Sequence, residues 1–477
     1  MPLDQWADLF REEVLGVASM DAHTVGYQES AERLRAIVRS GLLLHTDLAD
    51  KPERFFLAHR LLAEHTPKLG PGFWIRFTVH YNLCMGTVLA LGSEEQVASL
   101  KGMQDRGELG CFSLTERFAG VNSGMIVETA AEWDEHTGEF VLNSSSEGSQ
   151  KNWISQGLVA DKTVVLADLR VKGKRMGPHA FLMDMRADGR VVPGVRLGDM
   201  GTKTVGNDLD NAWIAFDGVR LPKSALLNRY ADIDPATGEY QQKVKGLPAF
   251  HMIGQRLFSG RVAVAQAALT FRRELFRSTA AYTDAKRCWA PGGESTLSDI
   301  PQLRALYEEA NENDRLLQSF VHACELDLSA SLRAGTAPSL GLVEAIAVAK
   351  VRAVEDSIAL THSLRNEVGS YALMKDSGFG QTDFLQCCKF AEGDSRILMQ
   401  KMARDRMAAH AKKGAAAEGG PVELQRCEEL TASLAGHVEA GRAADKHAAW
   451  DLCWRDVYGL ADAVMTRTMK NYLETRV

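Results

Sequence analysis

A carboxylate placed just before a helix can take a proton and hold it. Phe390-Ala391-Glu392-Gly393-Asp394-Ser395 precedes the run Arg396 to Met407, in which Leu398, Met402 and Ala403 recur at helical spacing. Asp394 or Ser395 can cap that run, so Glu392 falls on the turn outside the helix N-terminus. The helix dipole favours the ionised carboxylate and an apolar pocket favours the neutral acid, and the balance of the two can tune a general base. The same pattern also serves an ordinary cap, so the rest of the chain has to decide between them.

Composition narrows the choice. The chain has 477 residues, 45% apolar and 25% charged, enough for two or three domains around a large core. Lys and Arg number 55 against 62 Asp and Glu, a net of -7, and no basic field invites nucleic acid or an anionic membrane. The eight cysteines (Cys84, Cys111, Cys288, Cys324, Cys387, Cys388, Cys427 and Cys453) form no CxxC or Cys/His cluster, and suit a reducing compartment. The Cys387-Cys388 pair reads as small buried residues rather than a redox switch. There is no metal motif, Walker loop, GxGxxG or internal repeat.

The elements that must position Glu392 follow from periodicity. Residues 1–108 read as an N-terminal helical domain, with Trp6, Leu9, Phe10 and Val14 in one stripe, Phe55-Phe56 through Leu62 in another, and a long apolar stretch from Phe73 to Leu91 that reads as a buried helix and its entry loop. Residues 109–224 read as a β-barrel or sandwich, from the alternating runs between Thr163 and Met185 and the segment Trp213 to Phe216, each broken by Gly or Pro. Helical spacing returns in 225–412, where Val264, Ala268, Phe271 and Leu275 mark one of four long bundle helices and Ile346, Ala349, Ala353, Ser357 and Leu360 another. The Gly/Ala-rich stretch Lys413 to Pro421 reads as a linker, and 413–477 as that linker with an extra helical segment carrying Trp450, Trp454, Val457, Ala461 and Val464 on one face. The fold class is α+β, mostly α, with the helical segment as an appendage.

This order of domains resembles the acyl-CoA dehydrogenase and acyl-CoA oxidase superfamily of FAD flavoproteins, and local motifs carry the resemblance further. Gly110-Cys111-Phe112-Ser113-Leu114-Thr115-Glu116 with Gly120-Val121-Asn122 is similar to the family's first flavin segment, closer to the oxidase form. Lys151-Asn152-Trp153-Ile154-Ser155 resembles the second. Gly198-Asp199-Met200-Gly201, Asp210-Asn211 and Phe216 to Pro222 resemble the oxidase segment that closes the β domain, and Glu392-Gly393-Asp394 with Ala403-Arg404 resembles the final Glu-Gly segment.

The resemblance implies roles. Phe112, Leu114, Thr115, Trp153 and Ser155 would bind the flavin, Thr115 at the pyrimidine edge, Ser155 at N5 and Trp153 along the ring. Arg261 would lie by the active site at the start of a bundle helix. Lys286, Arg287, Trp289 and Gln302 would reach the FAD of a neighbouring subunit, which implies a homodimer or homotetramer, and Gly369 and Asp394 would also belong to the cofactor site. Glu392 would remove the α-proton of an acyl-CoA thioester while the β-hydride leaves to flavin, giving a trans-2-enoyl-CoA, a step of fatty-acid β-oxidation. Val121, Asn122 and Ala391 would face the substrate.

The pattern has departures. Val121 stands where serine is usual, Arg117-Phe118 makes a bulkier loop, only Gly369 of a Gly-Gly-x-Gly segment is kept, and Ala391 replaces an aromatic residue before the base. Four readings therefore stay open: an oxidase passing electrons to O2, a dehydrogenase passing them to an electron-transfer flavoprotein, a flavin enzyme of this fold acting on a substrate other than acyl-CoA, and a non-catalytic scaffold. The expected location is cytoplasmic, or peroxisomal without a recognisable C-terminal signal, with no membrane-spanning run.

Overall fold

The computed structural model describes residues 1–17, 25–120, 126–244, 256–413 and 419–475. Its first part is helical: α1 (Leu3–Val17), α2 (Tyr27–Ser40), α3 (Pro52–Glu64), α4 (Pro71–Thr78), α5 (Gly86–Leu91) and α6 (Glu94–Arg106), with shorter turns between. Trp6, Phe10 and Val14 are buried as the stripe predicts, whereas Leu9 sits at its exposed margin. The apolar run from Phe73 to Leu91 is not one regular helix. Between α4 and α5, Val79–Met85 winds as a π-helix. Such segments insert extra residues per turn and re-aim side chains, and they recur at functional sites.

The β part is built on two main sheets. In the larger, β1 (Gly110–Ser113) and β2 (Ala130–Asp134) both run parallel along one edge of the long β5 (Lys162–Val171); β6 (Lys174–Asp184) covers its other edge, and β3 (Glu139–Asn143) and β9 (Val219–Pro222) continue outward from β2. The smaller sheet is β4 (Lys151–Ser155), β8 (Asn211–Phe216) and β7 (Val195–Asp199), all antiparallel. Val165, Ala167, Leu169, Phe140, Phe181, Ile154 and Ile214 fill the space between the sheets. Strands β2, β3 and β7 are five residues each with charged ends, too short for their alternation to stand out in the sequence.

Four long helices follow: α7 (Arg256–Ala285), α8 (Pro301–Arg333), α9 (Leu340–Glu367) and, after the short α10 (Asp383–Phe390), α11 (Ser395–Lys413). Ala263, Ala267, Ala268, Ala345, Ala349 and Ala353 are buried on α7 and α9, and these small side chains let the helices approach closely. A hairpin, β10 (Arg287–Ala290) and β11 (Gly293–Thr296), projects between α7 and α8. Beyond 419, α12 (Pro421–Glu439) and α13 (Trp454–Glu474) close the chain. Val457, Leu460, Ala461 and Val464 of α13 are buried in the same core as the bundle, while Trp454 is about half exposed and stacks on Arg455. Among the described residues no helix is long and apolar enough to cross a membrane.

Candidate active site

Asp394 is the residue that starts α11: its carbonyl accepts from Leu398 N–H at 3.0 Å and its Oδ1 from Arg396 N–H at 2.7 Å. Its other oxygen is buried without a hydrogen-bond partner among the described residues. Glu392 therefore lies two residues before the cap, on the turn leaving α10, with φ of 57°. A left-handed backbone at a glutamate costs about 1–3 kcal/mol and persists only where the surroundings impose it. Two cations do so from neighbouring helices. Arg261 Nε on α7 donates to the Glu392 carbonyl at 3.0 Å, and the Lys350 ammonium on α9 donates to the Gly393 carbonyl at 2.9 Å.

The carboxyl points inward and is buried. Oε1 accepts from Asn82 Nδ2 at 3.1 Å, and the Asn82 oxygen accepts from the Ser259 hydroxyl at 2.7 Å. Oε2 is buried with no hydrogen-bond partner among the described residues. Gly260 makes room for the group: a Cβ there would meet Glu392 Cδ at 2.2 Å and Oε1 at 2.3 Å. Burial raises the Glu392 pKa from 4.5 to about 7, against the opposing pull of the Asn82 hydrogen bond and the Arg261 and Lys350 charges. A group so placed accepts a proton near neutral pH and has an unpaired oxygen with which to take it. Burial also lowers Arg261 to about 10, with the Glu392 charge pulling the other way.

A second cluster lies on the edge of the β part. The Thr115 carbonyl accepts from Asn152 N–H at 2.8 Å, which sets the exposed Thr115 beside β4. The β4–β8 register slips by one residue between Lys151 and Ile154, and at this bulge Trp153 adopts φ of 57° with its indole 55% exposed. Ser155 Oγ accepts from Asn211 Nδ2 at 3.1 Å, which leaves its own hydrogen for another acceptor. Phe112 and Leu114 are half-buried on the strand and loop leading to Thr115. An aromatic face, a spare hydroxyl donor and a left-handed backbone at one sheet edge fit a flat, partly polar ring. Beneath them Glu116 and Lys151 form a fully buried pair at 2.8 Å, with Lys151 also donating to the carbonyls of Leu114 and Leu166. Burial lowers Lys151 to about 8, opposed by Glu116, and the pair ties the two flavin-like segments together.

The structure brings Glu392 and Arg261 into contact, and sets Thr115 beside the strand that carries Trp153 and Ser155. Ala391, half-buried at the end of α10, adjoins Glu392. Lys286, Arg287 and Trp289 stand apart on the projecting hairpin, where Trp289 is 85% exposed and Arg287 pairs with Glu294. Gln302 is exposed in the first turn of α8 nearby. Gly369 has φ of 60° in the turn after α9, with open space where a Cβ would be. Val121 and Asn122 lie outside the described residues. Sequence reasoning missed Asn82, Gly260 and Lys350; the one signal available was a lysine inside the otherwise small and apolar face of α9.

Comparison with known proteins now adds to this geometry. No family model matches the chain. Acyl-coenzyme A oxidase 3, peroxisomal, from Arabidopsis thaliana is 34% identical over 234 residues, 48% of this chain and 34% of that one. In sequence the chain is thus similar to part of the acyl-CoA oxidases. The crystal structure of acyl-CoA oxidase 3 from Yarrowia lipolytica superposes with a TM-score of 0.77 at 21% identity, over 99% of this chain and 75% of that one. Acyl-CoA oxidase-1 of Caenorhabditis elegans, complexed with FAD and ATP, gives a TM-score of 0.77 at 18% identity, over 98% and 76%. The fold of these oxidases thus runs through nearly all of the chain, while sequence similarity to the Arabidopsis oxidase spans about a third of that relative's length.

Proposed function

We propose that the protein is an FAD-dependent acyl-CoA oxidase, with Glu392 as the base that removes the α-proton of an acyl-CoA thioester. The observation that carries the reading is the Glu392 carboxyl itself, buried, held in a left-handed turn, with one oxygen unpartnered among the described residues and its pKa raised to about 7. The names of the acyl-CoA oxidases in the family support the substrate class, and the FAD complex of the Caenorhabditis relative supports the cofactor.

The residues present fit FAD. Thr115, Trp153 and Ser155, with Phe112 and Leu114, would hold the flavin, and Gly369 and Asp394 would border it. Lys286, Arg287, Trp289 and Gln302 would reach the cofactor of a second subunit, so the working unit is a homodimer or larger. When bound, FAD supplies a hydride acceptor. Glu392 takes the α-proton as the α,β double bond forms and the β-hydrogen departs with its electron pair, leaving a trans-2-enoyl-CoA and a protonated Glu392. Arg261, holding the Glu392 carbonyl, fixes the turn; the Glu392 N–H donates to the thioester carbonyl as enolate character develops. Ala391 widens the pocket beside the base, and Val121 and Asn122 contribute to the substrate side.

Electrons pass to O2, with an electron-transfer flavoprotein as the alternative acceptor. The oxidase-like form of Thr115-Glu116 through Asn122 favours O2. The relative's name places it in peroxisomes, and the same setting is proposed here, with the cytoplasm as the alternative. Anaerobic titration with a panel of acyl-CoAs, followed by admission of air, tests the reading. Bleaching of the flavin and its rapid reoxidation with peroxide are expected; a protein that binds no FAD, or whose flavin no acyl-CoA bleaches, overturns it.

A further inference from the structure

We propose that Lys350 is a positioning residue for the base: its ammonium, on a helix remote in sequence, holds the turn that aims the Glu392 carboxyl. The inference rests on the reading of Glu392 as the base. Lys350 is fully buried in the middle of α9, among Ala345, Ile346, Val348, Ala349 and Ala353. A buried lysine in such a place has to find acceptors, because leaving its three donors unmet is costly. All three have acceptors in one short stretch: the Lys389 carbonyl at 2.6 Å, the Gly393 carbonyl at 2.9 Å and the Ser395 hydroxyl at 3.3 Å.

These acceptors are not arbitrary. Lys389 lies in the last turn of α10, where a helix carbonyl has no continuing partner, and Ser395 opens α11. Lys350 therefore joins the end of one helix to the start of the next across the turn that contains Glu392. Arg261 holds the adjoining Glu392 carbonyl from the opposite helix. Two cations on α7 and α9 thus clamp successive carbonyls of a turn whose glutamate is left-handed. Without the α9 arm, Gly393 is free to rotate, and the carboxyl loses the orientation that Asn82 and Gly260 receive.

While protonated, Lys350 also acts through charge; burial pulls its pKa down to about 7, opposed by Asp394 and Glu355, so this contribution fades as pH rises through neutrality. The ionisable and polar groups facing this turn are Glu392 and Asp394 on the turn itself, Asn82 on the π-helix, Ser259 and Arg261 on α7, Glu355 on α9 and Cys388 on α10. Removing the ammonium takes away one of the two cations that favour ionised Glu392, so the pH at which the base becomes competent rises.

The test is Lys350→Met, which keeps the length and removes the donors. Two readouts are taken: hydrogen exchange of amides 389–396 in the protein without substrate, and the pH profile and kcat/KM split of flavin reduction, normalised to bound flavin. Exchange of this stretch is expected to rise at least about tenfold while the α7 and α8 cores stay protected. The rate of flavin reduction is expected to fall about 10²-fold with KM little changed, and its pH midpoint to move up. If Lys350→Met does not fold, Lys350→Gln, which keeps one donor, carries the same comparison with a smaller rise in exchange. Unchanged exchange at 389–396, or a rate and pH midpoint equal to wild type, overturns the inference. Failure of the wild-type flavin to be reduced by any acyl-CoA refutes the base reading instead, and leaves the exchange result to decide whether Lys350 holds the turn.

Discussion

Replacing Glu392 by glutamine should stabilise the fold, and by an amount that depends on pH. In the folded protein the carboxyl titrates near 7, against 4.5 for a solvated glutamate. Between those values the native protein keeps a proton that the unfolded chain has released, so stability falls as pH rises from about 4.5 to about 7 and levels off above that. At ~1.4 kcal/mol per tenfold change in proton affinity, ionised Glu392 costs the native state about 3 kcal/mol at pH 8, as an order of magnitude. Glutamine does not titrate, and its oxygen can keep the Asn82 hydrogen bond now made to Oε1. Its amide occupies the place of Oε2, which has no partner among the described residues to lose. Thermal or urea melts of the two proteins at about pH 5 and pH 8 check the argument. The gain of the glutamine variant over wild type should be small at the lower pH and grow by up to about 3 kcal/mol at the higher, a few degrees in melting temperature for a chain of this size. A gain that is the same at both pH values, or that shrinks as pH rises, would refute the claim that the buried carboxyl is held near neutrality.

Other perturbations follow from the same contacts. Gly260→Ala places a methyl where the Glu392 carboxyl now lies, 2.2 Å from its Cδ and 2.6 Å from Asn82 Nδ2, so either the carboxyl or α7 must shift. A stability loss of about 1–3 kcal/mol and loss of flavin reduction are expected, read by urea melts and by absorbance. Asn82→Ala removes a side-chain hydrogen bond to Glu392 that favours its ionised form. The pH midpoint of flavin reduction should therefore rise above about 7, which a rate-against-pH series measures.

How much of this was legible in the chain depends on the distance between partners. Asp394 capping α11 and Glu392 on the turn before it were readable because cap, turn and helix are contiguous. The helix-sheet-bundle order was readable because the hydrophobic period changes near Gly110 and again after Pro222. Asn82 was not: it lies 310 residues from Glu392, inside an apolar run that reads as a regular helix. Only the π-helical winding of Val79–Met85 departs from that reading, and no residue type announces it. Lys350 was half visible, a charge on the small-residue face of α9, but its acceptors are backbone carbonyls, which the sequence does not mark. Trp153 was legible as a motif residue, whereas the bulge that turns its indole outward is a matter of strand register.

The central claim is that Glu392 takes the α-proton, and the most direct measurement is single-turnover flavin reduction by an acyl-CoA, mixed anaerobically with wild type and with Glu392→Gln. The FAD content of the two should match, since the carboxyl is not placed among the flavin contacts. Wild type should bleach within a turnover, more slowly with the α-deuterated thioester, and the glutamine variant should bind the same thioester while reducing flavin slower by about 10²–10⁴-fold, the scale expected for loss of a general base. Reduction by the glutamine variant at the wild-type rate would contradict the account and remove Glu392 from the chemistry.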